Sequence, residues 1–194
     1  MTPEKIKALS KSFTEEVIGL RRHLHANPEL SYQEFNTVKF VEQTLRSFGI
    51  DAIQPMATTG LVAEVKGKNP DKKTVALRAD MDALPIQESN EVPYKSKNPR
   101  VMHACGHDVH TSSLLGTAKI LHQLRDQFEG TVRFLFQPGE EKNPGGASYM
   151  IRDGALTMGA LIACSIIAGR VIVVLGAGGD RAETRFQIQA GQPG

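Results

Sequence analysis

Apolar residues recur every three or four positions through the first fifty residues, a spacing typical of helices with one buried face. This spacing predicts one helix over residues 3–26, ended by the break at Pro28. Ser31 and Glu34 have the spacing of a capping box, so a second helix is predicted to begin there and to end at Gly49. Two helices are therefore expected to precede any strand.

Beyond residue 50 the pattern changes to short segments rich in β-branched residues, which predicts strands. Residues 60–65 and 74–79 are the first two, and the turn that separates them predicts a hairpin or adjacent strands. A helix over residues 109–124, a strand over 131–136 and a short helix over 146–152 follow. Strands that alternate with helices predict a layered α/β domain.

Residues 154–179 carry a single charge, Arg170, although charges are scattered throughout the preceding sequence. We interpret this run as a buried strand or a disordered tail. A membrane helix needs roughly 20 apolar residues, and here glycines and Arg170 interrupt them. A dinucleotide-binding loop is also disfavoured, because Arg181 occupies the position of the third glycine in that motif.

Composition and charge narrow the classes of partner. The chain has 194 residues, is 40% hydrophobic and carries a formal net charge of +2. This is ordinary globular composition, and it gives no reason to expect nucleic acid or an anionic membrane as a partner. The 2 cysteines cannot form a disulfide framework and the charged N-terminal region lacks the apolar core of a signal peptide, so a reducing cytoplasm is the expected location.

Three polar clusters are predicted to lie where a strand ends or a helix begins, which is where sites assemble in α/β proteins. They are Asp80 with Asp82, the cysteine and histidines within residues 103–110, and Glu140 with Glu141. Each cluster alone is more often a structural or surface feature. Together they supply thiolate, imidazole and carboxylate donors, which suit a divalent ion such as zinc. A glutamate pair can supply one metal ligand and one general base, so the combination indicates a metallohydrolase.

Four ordered motifs resemble those of the M20 metallopeptidase superfamily, and in particular its amidohydrolase branch. They read LRRHLHANPELS at 20–31, LRADMDALP at 77–85, HACGHDVH at 103–110 and FQPGEE at 136–141. The branch contains N-acyl-amino-acid amidohydrolases, hippurate hydrolases and plant auxin-conjugate hydrolases. The resemblance implies a zinc-peptidase-like layered α/β catalytic domain that hydrolyses the amide bond of a small-molecule substrate, an N-acyl amino acid.

The resemblance also implies a pair of divalent metal ions, usually zinc, manganese, cobalt or nickel. By their motifs, Cys105, His107 and Glu141 correspond to metal ligands. Glu140 corresponds to the general base that takes a proton from water and returns it to the leaving amine. Asp82 corresponds to the aspartate that orients a metal-binding histidine in sister branches.

Two further positions near these motifs have open roles. Asp80 stands where the sister branches have the metal-binding histidine that this aspartate orients. His110 follows His107 by three residues at the predicted start of a helix, so the two face the same side. Support of the metal site and a simple surface position are equally compatible with that spacing.

The resemblance ends near residue 156. The next strand of the family carries a further metal-binding histidine, whereas no histidine occurs in this chain after His122. We divide the chain into residues 1–183, the N-terminal part of a catalytic domain that diverges from 157, and residues 184–194, which resemble the start of the family's lid domain. The lid or dimerisation domain is expected to be absent, and a frameshift or a truncated gene would explain the break.

This break leaves two hypotheses for the function. In the first, the protein is a metal-dependent amidohydrolase whose activity is impaired in this chain. In the second, it is a non-catalytic remnant without a complete metal site. A zinc-dependent structural module is disfavoured, because Glu140 and Glu141 would then have no purpose.

Overall fold

Residues 1–156 and three strands farther along, at 161–167, 170–176 and 185–187, are described by a computed structural model of the chain. Three helices precede the sheet, where the apolar spacing predicted two. They are α1 (Pro3–Ser12), α2 (Thr14–Ala26) and α3 (Phe35–Ser47).

The predicted first helix is interrupted at Phe13, where ψ is 2° and the backbone leaves the helical region. Side-chain hydroxyls on either side bond to helix carbonyls. Ser12 Oγ donates to Leu9 O at 2.8 Å. Thr14 Oγ1 donates to Ser10 O at 3.1 Å. Such bonds compete with the main-chain ladder and favour bends, which accounts for two helices where apolar spacing alone predicts one.

The start of α3 differs from the prediction as well. The predicted capping box was wrong, because neither the Ser31 nor the Glu34 side chain bonds to an N–H group of the helix, which begins at Phe35. The carboxylate of Glu29 takes this role instead. It accepts hydrogen bonds from the backbone N–H of Asn36 at 3.2 Å and of Thr37 at 2.8 Å.

Replacement of Glu29 by alanine is therefore expected to lower the free energy of unfolding by about 1 kcal/mol, the usual loss when a helix N-terminus loses its cap. Urea denaturation followed by circular dichroism measures the change. Lys39→Ala, at an exposed position of the same helix, is the matched control. Equal stability of the two variants would show that Glu29 contributes nothing as a cap.

The strands form one sheet in the order β1-β2-β4-β3-β5-β6-β7. Their bounds are β1 (Ile53–Met56), β2 (Gly60–Lys66), β3 (Thr74–Asp80), β4 (Thr131–Gln137), β5 (Leu161–Ile167), β6 (Arg170–Gly176) and β7 (Arg185–Gln187). Strand β3 is parallel to both β4 and β5, and the other pairs are antiparallel.

The predicted pairing of the first two long strands was wrong, because β4 lies between β2 and β3. Helix α4 (His107–Gln123) follows β3 and returns the chain to the same end of the sheet, so β4 enters parallel to β3. Parallel neighbours need such a crossover, whereas a hairpin needs only the short turn that the sequence offered. In the resulting register Asp80 lies opposite Gln137.

The core lies on both faces of the sheet, which confirms the layered α/β prediction. On one face α3 and α4 cover the strands, and the side chains buried there include Val41, Leu45, Leu115, Phe134 and Phe136. On the other face α5 (Gly146–Arg152) buries Met150 against the sheet with Met56, Val62, Ala76 and Leu135.

Strands β5 and β6 occupy most of the nearly uncharged run. The glycine-rich residues after Leu175, for which a dinucleotide-binding loop was disfavoured, lie largely outside the described residues, as do most of residues 184–194. The division of the chain at 183 stays a prediction. Within the part of the chain that the structure describes, no helix has both the length and the apolar character to cross a membrane.

Candidate metal centre

The three polar clusters meet at one edge of the sheet, beside the carboxyl ends of the parallel strands β3 and β4. Asp82 follows β3, Cys105 and His107 lie at the start of α4, and Glu140 and Glu141 follow β4. This convergence follows from the topology, because parallel strands end on the same side of a sheet.

Cys105, His107 and Glu141 offer ligand atoms that all lie within 4.8 Å of one another. A thiolate, an imidazole and a carboxylate at such mutual distances can bind one zinc-like ion. Among the described residues these are the three that form such a group. They are also the three ligands that the motifs implied.

His107 is held in one orientation by the residues behind it. Its ring is buried, and Nδ1 lies 2.8 Å from the carbonyl oxygen of Asp82 and 3.3 Å from Asp82 Oδ1. A carbonyl oxygen only accepts hydrogen bonds, so Nδ1 must carry the proton. Nε2 then faces Glu140 and Glu141, with a carboxylate oxygen of each at 4.0 Å. Nε2 is therefore the ring nitrogen that faces the site, and it can bind a metal ion once it has lost its proton.

Asp82 connects the three clusters. Its buried carboxylate contacts His107 through Oδ1, and Oδ2 accepts hydrogen bonds from Ser31 Oγ at 2.6 Å and from the backbone N–H of Glu141 at 2.9 Å. Burial raises the pKa of Asp82, but the hydrogen bonds from His107, Ser31 and the Glu141 backbone outweigh it and lower the pKa to about 2. The carboxylate is therefore charged and behind the site, in a position to orient His107.

The charges around the donors favour a cation. Burial, a hydrogen bond to Glu141 and the nearby carboxylates raise the pKa of the Cys105 thiol to about 11. Burial lowers the pKa of His107, but the hydrogen bond to Asp82 and the charge of Asp80 raise it to about 9. Nearby carboxylates contribute to both shifts, and a divalent ion would neutralise their negative charge.

Glu140 differs from Glu141 in having the features of a base rather than of a ligand. It is not one of the three converging donors, and 37% of its side chain is exposed. Burial and the charges of Asp80 and Glu141 raise its pKa. A carboxylate with a raised pKa in contact with solvent is suited to accept and return a proton.

Asp80, whose role was open, is bound by a guanidinium. Arg78 Nε donates to Asp80 Oδ1 at 3.0 Å and Arg78 Nη2 donates to Oδ2 at 2.8 Å. The two-pronged contact uses both carboxylate oxygens, and Asp80 is not among the three converging donors. The charge of Asp80 raises the pKa values of the nearby His107 and Glu140.

Sequence reasoning gave no site role to a buried polar network next to the metal donors. His25 Nδ1 lies 2.7 Å from Asp108 Oδ2, and its Nε2 lies 3.0 Å from Glu88 Oε1. The network ties α2 to the residue after His107. His103 is also buried, and neither ring nitrogen has a hydrogen-bond partner among the described residues. The motif at residues 20–31 could have drawn attention to His25. A motif does not show, however, which residues the His25 ring bonds to.

His110 lies beside the site without joining its donors. Its ring centroid is 5.8 Å from that of His107, and burial and the charge of His107 lower its pKa. Its Nδ1 is buried without a hydrogen-bond partner among the described residues. Of the two alternatives that the sequence left open for His110, this placement fits support of the metal site better than a simple surface position.

A layered α/β domain with these donors at the carboxyl ends of its parallel strands defines a metallopeptidase type of catalytic domain. The chain belongs to peptidase family M20/M25/M40, whose family model matches residues 76–187. This confirms the resemblance, and the relatives below confirm the amidohydrolase branch.

Two relatives and one solved structure illustrate the similarity. The chain is 54% identical over 156 residues to an N-acyl-L-amino acid amidohydrolase of Geobacillus stearothermophilus, covering 80% of this chain and 42% of that protein. It is 47% identical over 155 residues to thermostable carboxypeptidase 2 of Saccharolobus solfataricus, covering 79% and 39%. A dinuclear metal binding peptidase of family M20 from Bacillus subtilis superposes with a TM-score of 0.72 at 44% identity, covering 79% and 43%.

The chain thus spans about two fifths of the length of these relatives. Identity of about one half across this part means that the fold and the order of the motifs are shared. The activity and the substrate of a whole protein depend on more than this part.

Proposed function

We propose that the chain carries the metal-binding part of an enzyme that hydrolyses the amide bond of N-acyl amino acids. The observation that carries the proposal is the convergence of Cys105, His107 and Glu141 beside Glu140. The names of the relatives, an amidohydrolase and a carboxypeptidase, share one chemistry, the cleavage of an amide. In this proposal residues 1–183 belong to the catalytic domain and residues 184–194 begin the lid.

Cys105, His107 and Glu141 are the residues that would hold a divalent ion, within a site for two such ions of zinc, manganese, cobalt or nickel. A bound metal ion supplies Lewis acidity, which polarises the amide carbonyl and lowers the pKa of water. Asp82 keeps His107 oriented with Nδ1–H turned away from the site. A reducing cytoplasm would keep Cys105 available as a thiol.

Glu140 would move the protons. Its exposed carboxylate lies beside the donors, where it can take a proton from water and deliver it to the leaving amine. Because its pKa is raised, Glu140 holds an accepted proton more readily than an ordinary carboxylate does, so the proton is available for return to the leaving amine. Glu140 therefore acts as base and then as acid in the proposed reaction.

Metal content and turnover of the purified 194-residue chain test this function. The protein is loaded with Zn²⁺ or Co²⁺, its metal is quantified by mass spectrometry, and hydrolysis of N-acetyl and N-benzoyl amino acids is followed by amine release. We expect bound metal and little hydrolysis, since the three donors that converge among the described residues do not complete a site for two ions. Vigorous turnover would contradict the impairment, and absence of bound metal would favour the non-catalytic remnant.

Metal binding is expected to release about two protons at pH 7, since a metal binds only the deprotonated forms of cysteine and histidine. The pKa of His107 is about 9 and that of Cys105 about 11, so both hold a proton there. Affinity should therefore rise as the pH increases from 6 to 8. Titration calorimetry in buffers of different ionisation enthalpy counts the protons, and Cys105→Ala should release one fewer. An unchanged count in that variant would remove Cys105 from the ligand set.

A further inference from the structure

The segment between α2 and α3 contacts the loop that carries the glutamate pair. We call residues 31–34 the anchor segment and residues 139–142 the glutamate loop. In the glutamate loop, residues 140–142 are exposed, so few of their own side chains are packed against the protein. The conformation of this loop must therefore be fixed by contacts to its backbone.

Glu34 supplies one such contact from inside the protein. Its side chain is fully buried, at 0% exposure. Its Oε1 accepts a hydrogen bond from the backbone N–H of Gly139 at 2.8 Å, and Oε2 accepts one from Thr59 Oγ1 at 2.6 Å. A buried carboxylate is tolerated only where its oxygens are hydrogen-bonded, so this arrangement is specific. It joins the residue before Glu140 to the turn that connects β1 and β2.

Ser31 and Tyr32 supply the other contacts. Ser31 Oγ donates to Asp82 Oδ2, the same oxygen that accepts the backbone N–H of Glu141. The Tyr32 hydroxyl donates to Lys142 O at 3.1 Å. The Tyr32 ring also packs against Gly139, where a Cβ would lie 2.4 Å from Tyr32 Cε1. The anchor segment thus touches the glutamate loop at both ends and through Asp82.

We propose that Glu34 and Ser31 are positioning residues, which fix the backbone of the glutamate loop so that Glu141 can bind metal and Glu140 can reach water. The inference rests on the proposed function, since it assigns Glu141 a metal. The spacing of Ser31 and Glu34 suggested a helix cap, whereas this proposal gives the anchor segment a role in supporting the metal site. Partners outside the ligand shell typically change metal affinity by about 10–100-fold.

A pair of substitutions at Glu34 separates geometry from charge. Glu34→Gln keeps the shape: its carbonyl can accept from Gly139 N–H, and its amide can donate to Thr59 Oγ1 after the hydroxyl turns. Glu34→Asp keeps the charge, but it is one methylene too short to reach both partners. Positioning predicts that Glu34→Gln retains metal binding and that Glu34→Asp loses it.

The measurement is a Co²⁺ titration of the full chain, followed by the thiolate-to-cobalt absorption that Cys105 would produce. We expect Glu34→Asp to weaken binding at least about tenfold and Glu34→Gln to stay within about threefold of the unmodified chain. Ser31→Ala should weaken it severalfold relative to Ser47→Ala, which removes a comparable hydroxyl bond to Thr44 O within α3. Val41→Ala, in the core of α3, controls for a general loss of stability.

The outcomes are distinguishable. If the unmodified chain shows no cobalt–thiolate absorption, the proposed function fails. If it does and Glu34→Asp binds as tightly, or if Glu34→Gln binds as weakly as Glu34→Asp, positioning by Glu34 is overturned. Should Glu34→Asp not fold, as judged by circular dichroism, the comparison of Ser31→Ala with Ser47→Ala decides, and equal affinities overturn the inference.

Discussion

Replacement of Cys105 by alanine is expected to lower the affinity for Zn²⁺ by more than about 100-fold, because loss of partners outside a ligand shell already reduces affinity by 10–100-fold. Cys105 is exposed, and its thiol is the soft donor of the three-residue group. The substitution should leave the free energy of unfolding within about 0.5 kcal/mol, as is usual at exposed positions. A competition titration against a chromophoric chelator gives the affinity, and urea denaturation gives the stability.

Glu140→Gln is the matched comparison for this experiment. Glu140 lies beside the same site but outside the group of converging donors, so its amide should leave the affinity within about threefold while removing the base. If Glu140→Gln loses metal as strongly as Cys105→Ala does, the assignment of ligand and base to these glutamates is wrong. If Cys105→Ala retains tight binding, the thiol is not a ligand.

Much of the site was predictable because its residues follow regular elements. The strand before Asp80, the helix after Cys105 and the strand before Glu140 each have a clear local period, and the structure places them as β3, α4 and β4. Once those strands end at the same edge, the polar residues that follow them must meet. Local periodicity and one rule of α/β topology were therefore enough to bring the donors together.

The order of the strands was not predictable from the same patterns. A short turn between β2 and β3 is compatible with direct pairing, but β4, which is buried at nearly every position, lies between them. Its pairing joins Leu61 to Phe136, which lie far apart along the chain. Choices between distant partners depend on packing of the whole core, which no short window of sequence contains.

The anchor segment shows a second limit of sequence patterns. Ser31 and Glu34 match a capping box, yet both side chains bond to residues outside their helix. Hydroxyl and carboxylate groups form hydrogen bonds with local and with distant partners equally well, so sequence spacing alone does not identify the partner. The same holds for His25, whose partners at 88 and 108 lie in separate segments.

Gly146→Ala is expected to lower the free energy of unfolding by about 3 kcal/mol, at the upper end of the usual effect of overpacking. Gly146 begins α5, and a Cβ there would lie 1.7 Å from the carbonyl oxygen of Pro138. Its N–H also donates to Gly139 O at 3.0 Å. The backbone between 138 and 146 would have to move, and it carries Glu140 and Glu141.

Gly19→Ala provides the opposite result for the same change of side chain. Gly19 is an exposed residue inside α2, and no atom lies within 4 Å of the position of its Cβ. Alanine there should stabilise the helix by about 0.5–1 kcal/mol and leave cobalt affinity unchanged. Gly146→Ala should instead weaken cobalt binding at least about tenfold, because the displaced backbone supports a ligand. If both variants bind cobalt with the same affinity, metal binding does not depend on the position of the backbone between residues 138 and 146.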